Sequence, residues 1–310
     1  MTESFTTRGT PTAANGRLMR LATIASVSTA TLLIAAKVVA WLMTGSMSVM
    51  ASLIDSVMDV AASLINLFAV RYSLLPADNE HRFGHGKAEP LAGLAQAMFI
   101  AGSAAFLILH AADRLLHPQP LEDLTVGIVV MLFSMVATLG LLLFQYYVIK
   151  KTASTAIRAD ALHYASDLVT NISILIALGL ATYGWQSADG WIAIGIAIYI
   201  LYSAWRIGYE AFHLLLDHEL SAETQAHILA IAQRHPNVLG VHDLRTRQSG
   251  QAKFIQLHIE LDTNLSFVTA HKIADEIENA IEGLIPDSEV IIHQDPVKME
   301  LPPNPILQKF

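Results

Sequence analysis

No cysteine occurs in the 310 residues, so disulfides and thiolate metal sites are excluded, and a transition-metal site has to be built from His, Asp and Glu. Charge is scarce as well. Asp, Glu, Lys and Arg make up 15% of the chain, against about 25% in an ordinary soluble domain, while 53% is hydrophobic. The charge that exists leans acidic, 19 Lys and Arg against 27 Asp and Glu, for a formal net charge of -8. Without a basic patch to follow phosphates, nucleic acid is not expected as a partner; metal cations suit the balance better. The opening "MTESFTTRGTPTAANGR" lacks an apolar core with a small-residue cleavage site after it. No removable signal peptide is expected there, and residues 1–17 read as a polar cytoplasmic tail.

What the chain has in abundance is long apolar runs. Crossing about 30 Å of hydrocarbon as helix takes roughly 20 apolar residues, and six stretches qualify, near 20–43, 47–70, 90–112, 124–147, 159–182 and 190–207. Lipid offers the backbone no hydrogen-bond partners, so each span is expected to be helical, which predicts an α-helical membrane bundle of six transmembrane helices over residues 18–212. Arg8, Arg17 and Arg20 precede the first span, Arg71, Arg82 and Lys87 follow the second, and Lys150, Lys151 and Arg158 follow the fourth; Arg114 lies on the other side. This asymmetry puts both termini in the cytoplasm.

After a linker at 213–220 the composition changes. Residues 221–310 hold 12 acidic and 7 basic side chains and no run long enough to span. "SAETQAHILAIAQRHP" predicts a helix ending before Pro236. "VLGVHDLRTRQSG" and "KFIQLHIELD" alternate around Ser249-Gly250 and predict a hairpin, "SFVTAHKIADEIENAIEGL" a helix, and "SEVIIHQD" a last strand. The order α-β-β-α-β over 221–296 predicts a small cytoplasmic α+β domain with its helices on one face of a sheet, followed by a loose tail at 297–310.

Two of the apolar runs carry ionisable side chains. In "ASLIDSVMDVAASLINLFAV", Asp55 and Asp59 are one helical turn apart, and "ADALHYASDLVTN" repeats that spacing with His163 and Asp167. Each carboxylate at the centre of a membrane helix costs about 2.5 to 3.5 kcal/mol on insertion scales, so such groups need a compensating partner. Facing one another, the two helices offer three carboxylates and one imidazole, enough for a tetrahedral shell around Zn²⁺. A proton relay without metal and a structural zinc remain alternatives. A carboxylate-rich shell without thiolates releases metal more readily than structural sites do, which favours transport. Protons and metal compete for the same groups, and imidazole is the ligand type that changes protonation near neutral pH, so H⁺ is the expected counter-ion. Asp160, in the same run, reads equally well as a functional carboxylate or as a helix-end group that caps or snorkels.

The stretches "SLIDSVMD", "PADNEHRFGHGKAE", "ADALHYASD", "HDLRTRQSG" and "VIIHQDP" together make the chain resemble the cation diffusion facilitator family over essentially its whole length. The resemblance implies a six-span bundle with a cytoplasmic ferredoxin-like (metallochaperone-like) domain, a homodimer in a bacterial inner membrane, and proton-coupled export of divalent metal. The transport site carries over to Asp55, Asp59, His163 and Asp167, a ligand set associated in such bacterial members with zinc and cadmium; Fe²⁺ and Mn²⁺ are accepted by the same donor types.

By the same resemblance, Asp78, His81 and His85 form a loop site of regulatory character, and His242, His258, His271, His293 and Asp295 a binuclear cytoplasmic site. There Asp295 bridges two ions, with His242 and His258 on one and His271 and His293 on the other. Strand alternation is consistent with this, because Ile255, Leu257, Ile259 and Leu261 take one face of their strand and leave His258 on the other. Lys87 and Asp217 match positions that pair at a dimer interface and form a hinge across which metal in the soluble domains biases the membrane spans. The chain is therefore expected not to be an enzyme: there is no H-E-x-x-H and four protein ligands leave no open position for activated water. The competing readings are a metal-gated cation channel and a membrane-tethered metal sensor, which motifs do not separate from a carrier.

Overall fold

A computed structural model describes residues 13–44, 47–116, 125–182 and 188–297. Two compact units result, one ending at Leu216 and one beginning at Asp217.

The first unit consists of six long helices: α1 (Ala13–Thr44), α2 (Met47–Ser73), α3 (Ala88–Leu116), α4 (Thr125–Thr152), α5 (Thr155–Thr182) and α6 (Ala188–Leu215). Several run past the apolar stretches that announced them, because hydropathy marks the hydrocarbon thickness while the helices continue into polar surroundings. Among the described residues, four stretches are long and apolar enough to cross a membrane: Ala14–Met43, Ala88–Leu109, Ile128–Thr152 and Gly190–Leu215. Four of the six expected spans are among them. Helices α2 and α5 have 27 and 28 residues, so length is not what they lack. They are the two helices that carry the carboxylate and histidine pairs.

Small residues bring helices close where the bundle is tightest. A methyl on Gly208 of α6 would lie 3.5 Å from the Ala97 Cβ of α3, and one on Gly93 only 3.2 Å from Thr155 Cγ2 of α5; such small pairs let membrane helices approach. Large apolar side chains point outward instead, among them Phe68, Phe99, Phe106, Val136, Leu143 and Trp205. That is the inverse of a soluble protein and suits contact with lipid.

Polar side chains tie the interior together. Ser63 of α2 lies 3.1 Å from Ser26 of α1 and 2.9 Å from the Tyr164 hydroxyl of α5. Lys37 of α1 donates to the Ser52 carbonyl and, at 2.6 Å, to the Ser56 hydroxyl of α2. Glu89 of α3 is buried and accepts the Thr155 N–H at 2.9 Å, satisfying one of the orphan donors at the start of α5. Asp160 is only 1% exposed and accepts from Gln145 Nε2 of α4 at 2.7 Å. It is neither a cap nor a snorkelling group: its side chain points inward, between α5 and α4.

The second unit follows the order α7 (Ala222–Arg234), β1 (Gly240–Ser249), β2 (Ala252–Leu261), α8 (Phe267–Leu284), β3 (Ser288–Pro296). Ser221 caps α7 by accepting the Thr224 N–H, and Ser266 caps α8 by accepting the Thr269 N–H. Gly250, at φ 60°, turns the hairpin in a conformation that L side chains rarely adopt. β2 is the centre of the sheet, antiparallel to β1 and parallel to β3, with α8 as the crossover. Ile255, Leu257, Ile259 and Leu261 all lie on one face of β2. Ile273, Ala274, Ile277 and Ile281 of α8 and Ile228 and Ala232 of α7 bury that face. The opposite face of the sheet is left to polar side chains.

Candidate metal centres

In the helical unit, α2 presents Asp59 and α5 presents His163 and Asp167. His163 Nε2 lies 3.0 Å from Asp59 Oδ1 and 3.8 Å from Asp167 Oδ2. One ligand atom from each of the three comes within 4.8 Å of the others, the compactness a single metal ion needs. All three are partly buried. Asp55 occupies α2 one turn before Asp59, and its side chain lies outside the described residues.

The segment between α2 and α3 gathers Asp78, His81 and His85. Asp78 Oδ1 is 3.3 Å from His81 Nδ1, and Oδ2 is 3.3 Å from His85 Nε2. Backbone makes this shape. The His81 and Glu80 N–H groups donate to Asp78 Oδ1 at 2.6 and 2.9 Å, and Gly84, at φ 75°, closes the turn by donating to the His81 carbonyl. The His81 N–H is the main reason the Asp78 carboxyl is held below its ordinary value of 3.8, helped by the Glu80 N–H and the two imidazoles against a smaller opposing effect of burial. His85 is no solvated loop histidine: it is 6% exposed and meets the Tyr72 ring edge-on at 4.5 Å.

In the sheet unit, register assembles the cluster. His242 pairs with His258, His258 with His293, and Glu260 with Asp295, so these side chains share the polar face. Asp295 sits among the imidazoles. Its Oδ2 lies 2.8 Å from His258 Nδ1 and 3.3 Å from His242 Nε2, while its Oδ1 lies 3.2 Å from His293 Nε2. The His258 hydrogen bond is the largest cause holding the Asp295 carboxyl below its ordinary 3.8; burial opposes it, and the charges of His293, His258 and His242 add to it. Nitrogen and oxygen donors at this spacing fit a borderline divalent ion.

His271 does not join them within one chain. It stands in α8, paired with Asp275 at 3.7 Å and stacked on Phe267. Helix α8 covers the apolar face of the sheet, and the histidine cluster is on the other. Each member of the expected Lys87 and Asp217 pair has a contact inside its own unit: Lys87 Nζ donates to the Leu215 carbonyl at the end of α6, and Asp217 pairs with Arg247 at 3.4 Å.

The sheet also recruits two carboxylates that sequence reasoning passed over. Glu260 Oε1 is 3.6 Å from His242 Nδ1, and Asp243 Oδ2 is 3.7 Å from His258 Nε2. Glu260 was within reach of the argument from alternation, since it lies two residues after His258. Asp243 was not, because it occupies an irregularity between His242 and Arg245 at φ 49°, and such bulges re-aim side chains without a sequence period.

The family models decide the relationship. Residues 23–216 match the cation efflux transmembrane domain and residues 220–297 the cytoplasmic domain of cation efflux proteins. The chain belongs to the cation efflux family. Its similarity to individual members is extensive: it is 55% identical over 281 residues to the cation-efflux pump FieF of Klebsiella pneumoniae, covering 91% of this chain and 94% of that one. The corresponding figures are 55% for the FieF pump of Citrobacter koseri and 54% for that of Salmonella paratyphi A, with the same coverage. Membership makes the chain a membrane protein of divalent metal cation efflux, in a family of transporters rather than enzymes.

Proposed function

We propose that the chain is a proton-coupled antiporter that exports a divalent transition-metal cation, foremost Zn²⁺ and with the same donors Cd²⁺, Fe²⁺ or Mn²⁺, from the cytoplasm across the inner membrane. The observation that carries this is His163 Nε2 flanked by Asp59 and Asp167 on helices α2 and α5. With Asp55 completing the set, the four residues bind the cargo when unprotonated and lose it when protonated. The six apolar runs support six spans, with α2 and α5 held in the membrane by the other four, and the distribution of Lys and Arg supports both termini in the cytoplasm.

In this reading the cytoplasmic domain is regulatory. His242, His258 and Asp295 form one centre; His293, on the other oxygen of Asp295, belongs to a second, which His271 completes only from another copy of the chain. A homodimer built on the cytoplasmic domain accounts for that arrangement and suits the family of the domain. The loop residues Asp78, His81 and His85 form a third, separate centre, and Lys87 and Asp217 act at the hinge between membrane and soluble parts.

The test is Zn²⁺ uptake into vesicles with the cytoplasmic face outward. Saturable uptake that accelerates with an acidic lumen and is lost in Asp59→Ala is the expected result. Full uptake by Asp59→Ala refutes the site, and flux proportional to metal concentration and indifferent to pH indicates a channel.

A further inference from the structure

Glu260 lies beside the cytoplasmic cluster but faces away from the point where the ligands converge. His242 turns Nε2 toward Asp295 Oδ2, at 3.3 Å, where His258 Nδ1 also arrives. Its other nitrogen, Nδ1, faces Glu260 Oε1 at 3.6 Å. A shift of about 0.6 Å makes that contact a hydrogen bond. A neutral imidazole carries one proton, so a carboxylate that accepts from Nδ1–H leaves the Nε2 lone pair for metal.

A second observation shows that the backbone leaves room for this. Glu260 pairs in register with Gly240, two residues before His242 and on the same face. A Cβ at 240 would lie 2.5 Å from Glu260 Oε2 and 3.0 Å from Glu260 Cδ. The carboxylate therefore occupies the volume that any other residue's side chain would fill. Gly240 is not at a positive φ, so its missing side chain, rather than backbone freedom, is what the site uses.

We propose that Glu260 is a positioning residue of the cytoplasmic metal centre, holding His242 with its proton on Nδ1 so that Nε2 is ready for a divalent cation, and that Gly240 keeps the space for it. The inference rests on the reading of His242, His258 and Asp295 as a metal centre. Partners of this kind commonly change metal affinity about 10- to 100-fold. Glu260 itself contributes no ligand atom.

The test uses the full chain in detergent, with Asp59→Ala, Asp78→Ala and His271→Ala removing the other three proposed centres. Zn²⁺ titration should show Glu260→Gln binding at least about 10-fold more weakly, and the ¹⁵N-histidine spectrum of the metal-free protein should show the Nδ1–H tautomer of His242 giving way to the Nε2–H tautomer, whose proton Asp295 Oδ2 accepts. Gly240→Ala should reproduce both effects by displacing the carboxylate while leaving every charge in place. Affinity within twofold of the parent together with an unchanged His242 tautomer in both variants overturns the proposal. His258→Ala is the separate control: binding unaffected by its loss refutes the metal centre itself, and the tautomer of His242 then still decides what Glu260 does.

Discussion

In the helical unit His163 offers a single nitrogen, Nε2, to both Asp59 and Asp167. In the sheet unit His242 and His258 each divide their two nitrogens between two carboxylates, one at Asp295 and one behind. The supporting frames differ in the same sense. The first cluster comes from two helices that present residues one turn apart, and any relative movement of those helices opens it. The second comes from three hydrogen-bonded strands whose spacing is fixed near 4.8 Å. A centre that must give up its ion gains from the first arrangement, and one that must register an ion gains from the second.

The sharpest way to break the comparison is to remove a ligand from each side. Asp59→Ala strands His163 in a partly buried setting, and losing one partner of such a pair costs about 3 kcal/mol or more. Transport should fall by over about 100-fold, with zinc binding by the cytoplasmic domain unaltered in calorimetry. Asp295→Ala should do the reverse: cytoplasmic affinity drops by at least about 10-fold, while vesicles retain a maximal rate within a few-fold of the parent and respond less to cytoplasmic metal. Equal transport losses in the two variants would erase the distinction between them.

Acid provides a subtler probe. The Asp295 carboxyl is held below its ordinary value first by the His258 hydrogen bond, so the native state favours its ionised form. Its contribution to stability is present above the ordinary carboxylate range and is lost as pH falls through the lowered value. Acid unfolding of the metal-free cytoplasmic domain should therefore become less steep in Asp295→Asn, followed by circular dichroism. The smallest effect is expected from Ser266→Ala, which removes the cap of α8 and should cost about 1 kcal/mol in denaturant unfolding. It leaves the zinc affinity of the His242, His258 and Asp295 centre as it was, since α8 supplies no ligand to it.

Much of this was legible in the sequence because it depends on short periods. Apolar runs announced the long helices, and the one-turn spacing of Asp55 with Asp59 and of His163 with Asp167 pointed to α2 facing α5, where Asp59, His163 and Asp167 come together. The alternation of Ile255, Leu257, Ile259 and Leu261 put His258 on the far face from the core. Where reasoning failed, the deciding fact was tertiary. Nothing in the spacing of His271 tells that α8 lies on the apolar side of its own sheet, away from the cluster of the same chain. Asp160 looks like a helix-end group until Gln145 arrives from α4. The value of Gly240 appears only once Glu260 is known to be its neighbour across the strands.

The strand order has a consequence for synthesis. His242, His258 and Asp295 are far apart in the chain, and α8 must be made between the second and the third. A ribosome therefore delivers the last ligand only after all six long helices have been translated. Until then the growing chain holds two imidazoles without the carboxylate that joins them. The cluster is thus completed only after the helical bundle has already left the ribosome.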